Sequence, residues 1–222
     1  MTRGESWGQS HFPIGPVIGP LVIAGVLIRD DQAAALKALG VKDSKLLSPQ
    51  RREKLAEEIE KLAAKYEIVE LSPAEIDKIV LTGKKFHKLN LLEAKAMAEV
   101  IKKLKPEIAY VDASDVVAER FGSQIKEMLP FPVTIISEHK ADATYPIVSA
   151  ASIIAKVRRD NIIAQLHEKY GDFGSGYITD SKTVAFLINW LKRHGSYPDF
   201  VRKSWKPAKR IQETAEGTQT HL

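Results

Sequence analysis

Apolar residues recur along the chain with two different periods, and each period predicts one kind of element. Runs rich in β-branched residues predict strands at 17–28, 66–71, 107–112 and 133–137. Apolar residues three and four apart predict one-sided helices from Pro49, from Pro73 and at 89–104, 114–128, 146–170 and 181–194, with no regular structure after Gly217. Strands that alternate with helices indicate an α/β fold with a mixed sheet.

Composition narrows the class of protein. A chain of 222 residues suits one domain, or one domain with a small appendage. It contains no cysteine, which excludes disulfide scaffolds, thiolate zinc sites and cysteine nucleophiles. The apolar run at 17–28 is too short to cross a bilayer, and the first dozen residues lack a signal-peptide core. We therefore expect a soluble, cytoplasmic protein and a monomer.

The positive charge is concentrated near the C-terminal end. The whole chain carries a net charge of +5, whereas residues 182–210, here called the basic segment, hold eight basic residues and one acid, Asp199. Aromatic residues interleave with these charges. The pattern is typical either of a solvated helix face over packed aromatics or of a patch that binds nucleic-acid phosphates. The basic residues are Lys182, Lys192, Arg193, Arg202, Lys203, Lys206, Lys209 and Arg210.

Two aspartates follow neighbouring strands, Asp112 at the end of one and Asp142 shortly after the next. Because a right-handed crossover sets consecutive parallel strands side by side, both carboxylates should reach the sheet edge where α/β folds bind ligands. Each alone is also typical of a turn or helix cap. Two convergent carboxylates require a counter-charge, and their hard oxygens suit Mg²⁺ or Mn²⁺. With basic residues nearby, the pattern favours metal-assisted phosphodiester cleavage.

Six ordered motifs make the chain resemble ribonuclease HII in its archaeal form, over about residues 15–211. No single motif is decisive, but their order and spacing match together. They are Gly15-Pro16-Val17-Ile18-Gly19-Pro20, Lys42-Asp43-Ser44-Lys45, Tyr110-Val111-Asp112-Ala113, Glu138-His139-Lys140-Ala141-Asp142, Val148-Ser149-Ala150-Ala151-Ser152 and Gly174-Ser175-Gly176-Tyr177.

The resemblance implies a ribonuclease H-like mixed sheet flanked by helices, with a small helical C-terminal part. It implies cleavage of the RNA strand of RNA/DNA hybrids, and of single ribonucleotides embedded in DNA, with Mg²⁺ or Mn²⁺ as cofactor and a role in DNA repair. Two of the four family carboxylates map onto Asp112 and Asp142, as catalytic and metal-binding residues. Gly15, Lys45 and Tyr177 map onto substrate-binding positions, with Tyr177 reading the junction.

The start of the chain departs from the family. Family members carry a hydrophobic strand that ends in Asp-Glu-Ala-Gly-Arg-Gly, whereas Ser10 and His11 stand here at the Asp and Glu positions. Residues 1–14 also hold few β-branched residues for a buried strand. Three explanations stay open: a wrongly placed coding start, a homologue that binds hybrids without efficient cleavage, or an active enzyme with a rearranged site.

The resemblance also divides the chain and suggests partners. We expect a catalytic domain over 1–180, a basic helical substrate-binding part over 181–211 and a flexible tail over 212–222. The substrates expected are RNA/DNA hybrids and ribonucleotide-containing duplex DNA. A sliding clamp is a weaker expectation, because Gln219 and Leu222 match the first spacing of a clamp-binding motif but the chain stops before its aromatics.

Overall fold

The computed structural model describes residues 15–41, 47–82 and 85–219. Its strands are β1 (Leu21–Leu27), β2 (Lys65–Leu71), β3 (Ile108–Asp112) and β4 (Thr134–Glu138). Its helices are α1 (Ala33–Ala38), α2 (Pro49–Leu62), α3 (Pro73–Leu81), α4 (Lys85–Leu104), α5 (Ala118–Glu127), α6 (Ala141–Thr144), α7 (Pro146–Tyr170), α8 (Ser181–His194) and α9 (Lys206–Gln219). The predicted α/β class is confirmed.

Local capping explains where several helices begin. The Ser48 hydroxyl accepts the Arg51 backbone N–H at 3.3 Å, and Pro49 fills the first helical position of α2. At α3, Ser72 and Glu75 form a reciprocal capping box. These capping side chains accept hydrogen bonds from helix N–H groups that would otherwise lack a partner. The sequence alone therefore predicts where α2 and α3 begin.

The strands form two pairs. β1 and β2 pair antiparallel along seven residues each, from Leu21 opposite Leu71 to Leu27 opposite Lys65. β3 and β4 pair in parallel, with Asp112 opposite Glu138 at their carboxyl ends. Among the described residues the two pairs stay separate sheets. The second pair and its crossover through α5 therefore form the predicted β–α–β unit.

Helices α4 and α7 cover opposite faces of β1. Ile23 belongs to the apolar cluster that contains Val100 and Leu104 of α4, whereas Val26 packs with Ile153 and Ile154 of α7. Alternate residues of a strand face opposite sides, so β1 is buried on both faces. Ala150 of α7 is fully buried in the same cluster as Val26.

Gly25 allows the close approach of α4, and we expect Gly25→Ala to destabilise the fold. A Cβ at this position would overlap the Val100 side chain and lie 2.9 Å from Leu104 Cδ1. Such overpacking costs about 2 kcal/mol, which lowers Tm by roughly 6 °C in a domain of this size. Thermal melts of Gly25→Ala, alone and with Val100→Ala, check this. The cost should largely disappear in the double variant; an equal cost in both backgrounds would contradict the steric explanation.

Several element boundaries differ from the sequence prediction, among them the start of α4 at Lys85 rather than at residue 89, and two of the differences have a clear structural cause. β1 begins at Leu21 rather than at residue 17, because Gly19 has φ +91° and Ile18 instead bridges Val201. α5 begins at Ala118 rather than at Ser114. The Asp115 carboxylate accepts the Val117 N–H at 3.0 Å and pairs with Arg120, which holds residues 113–117 as a loop.

The C-terminal end of the chain is more regular than the expected flexible tail over 212–222. α9 continues through Gln219, beyond the point where the flexible tail was expected to begin. Within the described part of the chain, no helix is both long enough and apolar enough to cross a bilayer.

Candidate functional site

The two candidate carboxylates are joined by the backbone of α6. The Ala141 N–H donates to Asp112 Oδ1 at 3.1 Å, so the aspartate that ends β3 caps the helix that carries Asp142. The Ser149 hydroxyl of α7 donates to the backbone carbonyl of Asp142. Asp112 and Asp142 also line the same cavity. The structure thus brings together the two residues that the strand–helix pattern placed at one edge.

The supporting residues around α6 are themselves held in place. Lys140, directly before the helix, has φ +57°, a left-handed conformation that is uncommon for a residue with a side chain. The Tyr145 hydroxyl donates to Glu138 Oε1 at 2.9 Å, and this hydrogen bond raises the Tyr145 pKa. The Tyr145 ring packs 4.5 Å from that of Tyr110. The Lys140 backbone before α6 and the Tyr145 contacts after it therefore fix the position of the helix that carries Asp142.

Glu93 is a third acidic residue of the cavity, and the sequence analysis missed it. Burial raises its pKa, opposed by the Ser114 hydroxyl and the Arg202 guanidinium. Glu93 lines the cavity with Asp112 and Asp142. One signal could have revealed it: Glu93 occupies the first position of the helical series completed by Met97, Val100 and Leu104, where an apolar residue would be expected.

Asp112 and Asp142 offer the hard oxygen donors that Mg²⁺ or Mn²⁺ prefers. Among the described residues, no three or more His, Cys, Asp or Glu side chains lie close enough together to hold a metal ion. The donor chemistry of these two carboxylates therefore fits a divalent cation.

Gly15 and the turn of Tyr177 form a second candidate region. The Gly176 carbonyl accepts both the Val17 N–H at 2.8 Å and the Ile18 N–H at 3.1 Å. Gly176 has φ +77°, and a Cβ there would lie 3.2 Å from the Ile18 carbonyl, so glycine is required. The structure therefore brings the segment that follows Gly15 against the turn that carries Tyr177.

Two arginines shape this region: Arg159, which sequence reasoning missed, and Arg202, which it assigned only to the basic segment. Arg159 of α7 lies over the Tyr177 ring, its Cζ 4.9 Å from the ring centre, and donates to the Ser175 carbonyl at 3.2 Å. Arg202 is only 2% exposed and donates from Nε to the Gly19 carbonyl at 3.1 Å. Burial lowers the Arg202 pKa to about 10, with Arg159 adding to the effect.

Trp205 completes the wall behind Gly15. Its indole N–H donates to the Gly15 carbonyl at 3.3 Å, and Arg202 stacks on the ring with Cζ 5.1 Å from its centre. A Cβ on Gly15 would lie 3.3 Å from both side chains. A larger residue at position 15 would therefore crowd the side chains of Arg202 and Trp205.

Several charges of the basic segment are buried or paired with acidic residues of the chain. Arg202 is buried, Lys182 pairs with Asp172 at 2.7 Å, and Lys203 pairs with Asp199 at 3.4 Å. The interleaved aromatics pack inward: Trp190 and Phe200 join a ring cluster, and the buried Tyr197 hydroxyl donates to the Ala208 carbonyl at 2.9 Å. Burial raises the Tyr197 pKa to about 12. The exposed cations that remain include Lys192, Arg193 and Arg210.

Three sequence-predicted residues lie outside the described part of the chain. These are Ser10, His11 and Lys45, so their roles stay predictions. His139, next to the candidate site, places Nε2 3.2 Å from the Val116 carbonyl. This contact is typical of a histidine held by a backbone hydrogen bond.

Comparison with known proteins identifies the family. The sequence model of ribonuclease HII matches residues 14–208. Ribonuclease HII of Pyrococcus abyssi is 46% identical over 217 residues, which cover 97% of this chain and 94% of that protein. The Thermococcus sibiricus protein of the same name is 50% identical over 201 residues, 90% of this chain and 87% of the relative.

Solved structures agree in fold. The ribonuclease H2 of Pyrococcus horikoshii has a TM-score of 0.84 at 44% identity, covering 91% of this chain and 94% of that chain. Ribonuclease HII of Archaeoglobus fulgidus, solved as a complex with PCNA, has a TM-score of 0.78 at 46% identity, with coverage of 89% and 91%. These likenesses confirm the ribonuclease H-like fold, and the chain belongs to the ribonuclease HII family of ribonucleases H.

Proposed function

We propose that the chain is an endonuclease that cuts the RNA strand of RNA/DNA hybrids and single ribonucleotides embedded in DNA. The observation that carries the proposal is the hydrogen bond from the Ala141 N–H to Asp112, which holds Asp112 and the helix of Asp142 at one cavity. Relatives at 46–50% identity that bear the name ribonuclease HII support the substrate class.

In this proposal Asp112 and Asp142 hold a divalent cation, Mg²⁺ or Mn²⁺. A bound cation supplies Lewis-acid polarisation of the phosphate and lowers the pKa of a bound water. The chain's own residues position the substrate. The Tyr177 ring stacks on the nucleotide at the junction, Arg159 holds that ring from behind, and the Gly15 backbone approaches the ribose.

The cations that face solvent near the C-terminal end serve the duplex as a whole. Lys192, Arg193 and Arg210 are exposed, and basic side chains of this kind bind phosphates independently of sequence. Because binding through phosphates releases counterions, affinity should fall steeply as salt rises. Lys45 is also proposed as a phosphate contact, and this assignment rests on the family resemblance.

A cleavage assay tests the proposal. The full 222-residue chain is incubated with duplex DNA that contains one ribonucleotide, with Mg²⁺, with Mn²⁺ or with EDTA. We expect a cut on the 5′ side of the ribonucleotide that leaves a 3′-hydroxyl and that requires metal. Absence of any cut, under conditions where an archaeal relative cuts, would reject the proposal for this chain.

A second candidate function is binding of hybrids without efficient cleavage. It is favoured by the sequence, in which Ser10 and His11 stand at two of the four family carboxylate positions. This alternative predicts salt-sensitive binding with no product over many hours. Multiple turnover by the chain as written would eliminate it.

We expect Tyr177→Ala to weaken binding of a ribonucleotide-containing duplex about 10-fold without changing stability. Stacking of a base on an aromatic ring contributes roughly 1–3 kcal/mol, and Tyr177 is only half-buried. Tyr177→Phe keeps the ring and should keep most of the affinity. Fluorescence anisotropy with labelled duplex checks both variants; equal losses in Phe and Ala would contradict stacking as the contribution of Tyr177.

A sliding clamp is a further candidate partner. The Archaeoglobus fulgidus relative was solved in complex with PCNA, and Gln219 lies at the end of α9. Leu222, the second motif position, lies outside the described residues. Gel filtration of the full chain with an archaeal clamp tests this association directly.

A further inference from the structure

The backbone that carries Tyr177 is a glycine turn with little conformational preference of its own. Gly174 and Gly176 have φ +76° and +77°, in the left-handed region that glycine enters freely. Ordering a glycine backbone has a large entropic cost, so contacts that anchor the turn must define the position of the Tyr177 ring. Several of those contacts come from the first turn of α8.

Asp180, the cap residue of α8, holds the turn through its carboxylate and its backbone. Its Oδ1 accepts the Lys182 N–H at 3.0 Å, which caps the helix, and its Oδ2 accepts the Ser175 N–H at 2.7 Å. Its own N–H donates to the Tyr177 carbonyl at 3.0 Å. The hydrogen bond from the Ser175 backbone, with others from the Ser175 hydroxyl and Lys182, holds the pKa of Asp180 below its usual value. Asp180 therefore anchors the backbone both before and after the Tyr177 side chain.

Thr183, three residues further along α8, anchors the residue directly ahead of Tyr177. Its side chain is fully buried. The hydroxyl accepts the Gly176 N–H at 3.1 Å and donates to the Phe173 carbonyl at 2.8 Å. Burying a hydroxyl is costly unless it is hydrogen-bonded, so these two hydrogen bonds are what Thr183 contributes beyond packing. Both of them hold the backbone of the glycine turn.

We propose that Asp180 and Thr183 are positioning residues for Tyr177, through which the first turn of α8 sets the selectivity for a ribonucleotide junction. Each side chain acts on the backbone of the turn, and the ring follows that backbone. The inference rests on the proposed role of Tyr177 in reading the junction. It also links the ring to the helix that carries the exposed Lys192 and Arg193, so that one helix connects the junction contact with the proposed phosphate contacts.

Nuclear magnetic resonance tests the positioning itself, on the full 222-residue chain with ¹³C-labelled tyrosine rings and without nucleic acid or metal. Tyr177→Phe assigns the Tyr177 ring signal. We expect Asp180→Asn and Thr183→Val to shift or broaden that signal, because each leaves an N–H of the turn without its acceptor. Thr183→Ser keeps the hydroxyl and should keep the wild-type signal, as should Ser181→Ala at an exposed position of the same helical turn. A ring signal unchanged in both Asp180→Asn and Thr183→Val overturns the proposal.

Affinity measurements show whether the effect on binding passes through Tyr177. Asp180→Asn and Thr183→Val should each bind a ribonucleotide-containing duplex about fivefold more weakly, the size of effect typical of residues that act through a neighbour. Affinity for an all-DNA duplex of the same sequence should stay unchanged. In a Tyr177→Ala background both substitutions should change affinity less than about twofold, because the ring that they position is gone. Equal losses in both backgrounds, or on both duplexes, overturn the proposal.

The two measurements separate this proposal from the proposed function. If Tyr177→Ala binds the ribonucleotide-containing duplex as tightly as the wild type, Tyr177 does not read the junction, and the selectivity assigned to α8 is rejected with that role. If Tyr177→Ala weakens binding but the ring signal does not respond to Asp180→Asn or Thr183→Val, the role of Tyr177 stands and the positioning alone is rejected. Asp180 is only half-buried, so Asp180→Asn decides the result even if Thr183→Val fails to fold.

Discussion

Asp112→Asn should lower metal-dependent cleavage by about a thousandfold while leaving the fold intact. Asparagine can still accept the Ala141 N–H through its side-chain oxygen, so α6 keeps its cap. What is lost is the negative charge that would bind a divalent cation. Metal-ion stabilisation of the transition state contributes several kcal/mol, and about 4 kcal/mol corresponds to three decades in rate. Initial rates on a ribonucleotide-containing duplex, with circular dichroism for folding, measure the effect.

Glu138→Gln is the matched control for this prediction. Glu138 lies opposite Asp112 in the register of the two strands and is exposed, so it tests whether any acid at this edge matters. We expect less than a threefold change. Asp142→Asn should match Asp112→Asn, and the double variant should add little, because residues that act as one unit are not additive. Unchanged cutting by Asp112→Asn would remove Asp112 from the site.

Asp77→Ala should be the most destabilising single substitution that we predict. Asp77 on α3 is 8% exposed and accepts the Lys203 N–H and the Ser204 N–H, each at 2.8 Å. It also lowers the cost of the buried Arg202 charge. Removing the carboxylate leaves two backbone donors without a partner. Hydrogen bonds to charged groups contribute roughly 1.5–3 kcal/mol each, so we expect a loss of about 4 kcal/mol, measured by urea unfolding.

Asp199→Ala provides the comparison, since Asp199 belongs to the same region but is fully exposed. It pairs with Lys203 on the surface at 3.4 Å, and exposed pairs of this kind contribute little. We expect a change below about 0.5 kcal/mol. Similar losses from Asp77→Ala and Asp199→Ala would show that total charge, rather than the buried carboxylate, stabilises the basic segment.

The sequence predicted the bounds of a helix correctly where residues at its own ends form the caps. The bounds predicted for α7 and α8 agree with the structure, because α8 begins at the Asp180 cap and ends at Gly195, whose φ is +73°. Prediction was wrong where a distant or unusual contact decides the boundary. The Asp115 carboxylate keeps α5 from starting at Ser114, and the bridge of Ile18 to Val201 shortens β1. No periodicity within one segment records such contacts.

The candidate site, like the element boundaries, could be predicted only in part from the sequence. The convergence of Asp112 and Asp142 follows from strand order and crossover handedness, which a sequence reveals. The burial of Arg202 cannot be predicted from the sequence, because within the basic segment this arginine resembles its exposed neighbours. Its position depends on contacts with Gly19 and Trp205, the former 183 residues away along the chain.

The shared Gly176 carbonyl has a thermodynamic consequence. Because one acceptor holds the Val17 and Ile18 amides, the Gly15 segment and the Tyr177 turn cannot be ordered independently. Any ligand that immobilises one must also favour the ordered form of the other. Linkage makes such coupling reciprocal. If a nucleic acid binds at Tyr177 as proposed, the factor by which it tightens contacts at Gly15 will equal the factor by which those contacts tighten nucleic-acid binding.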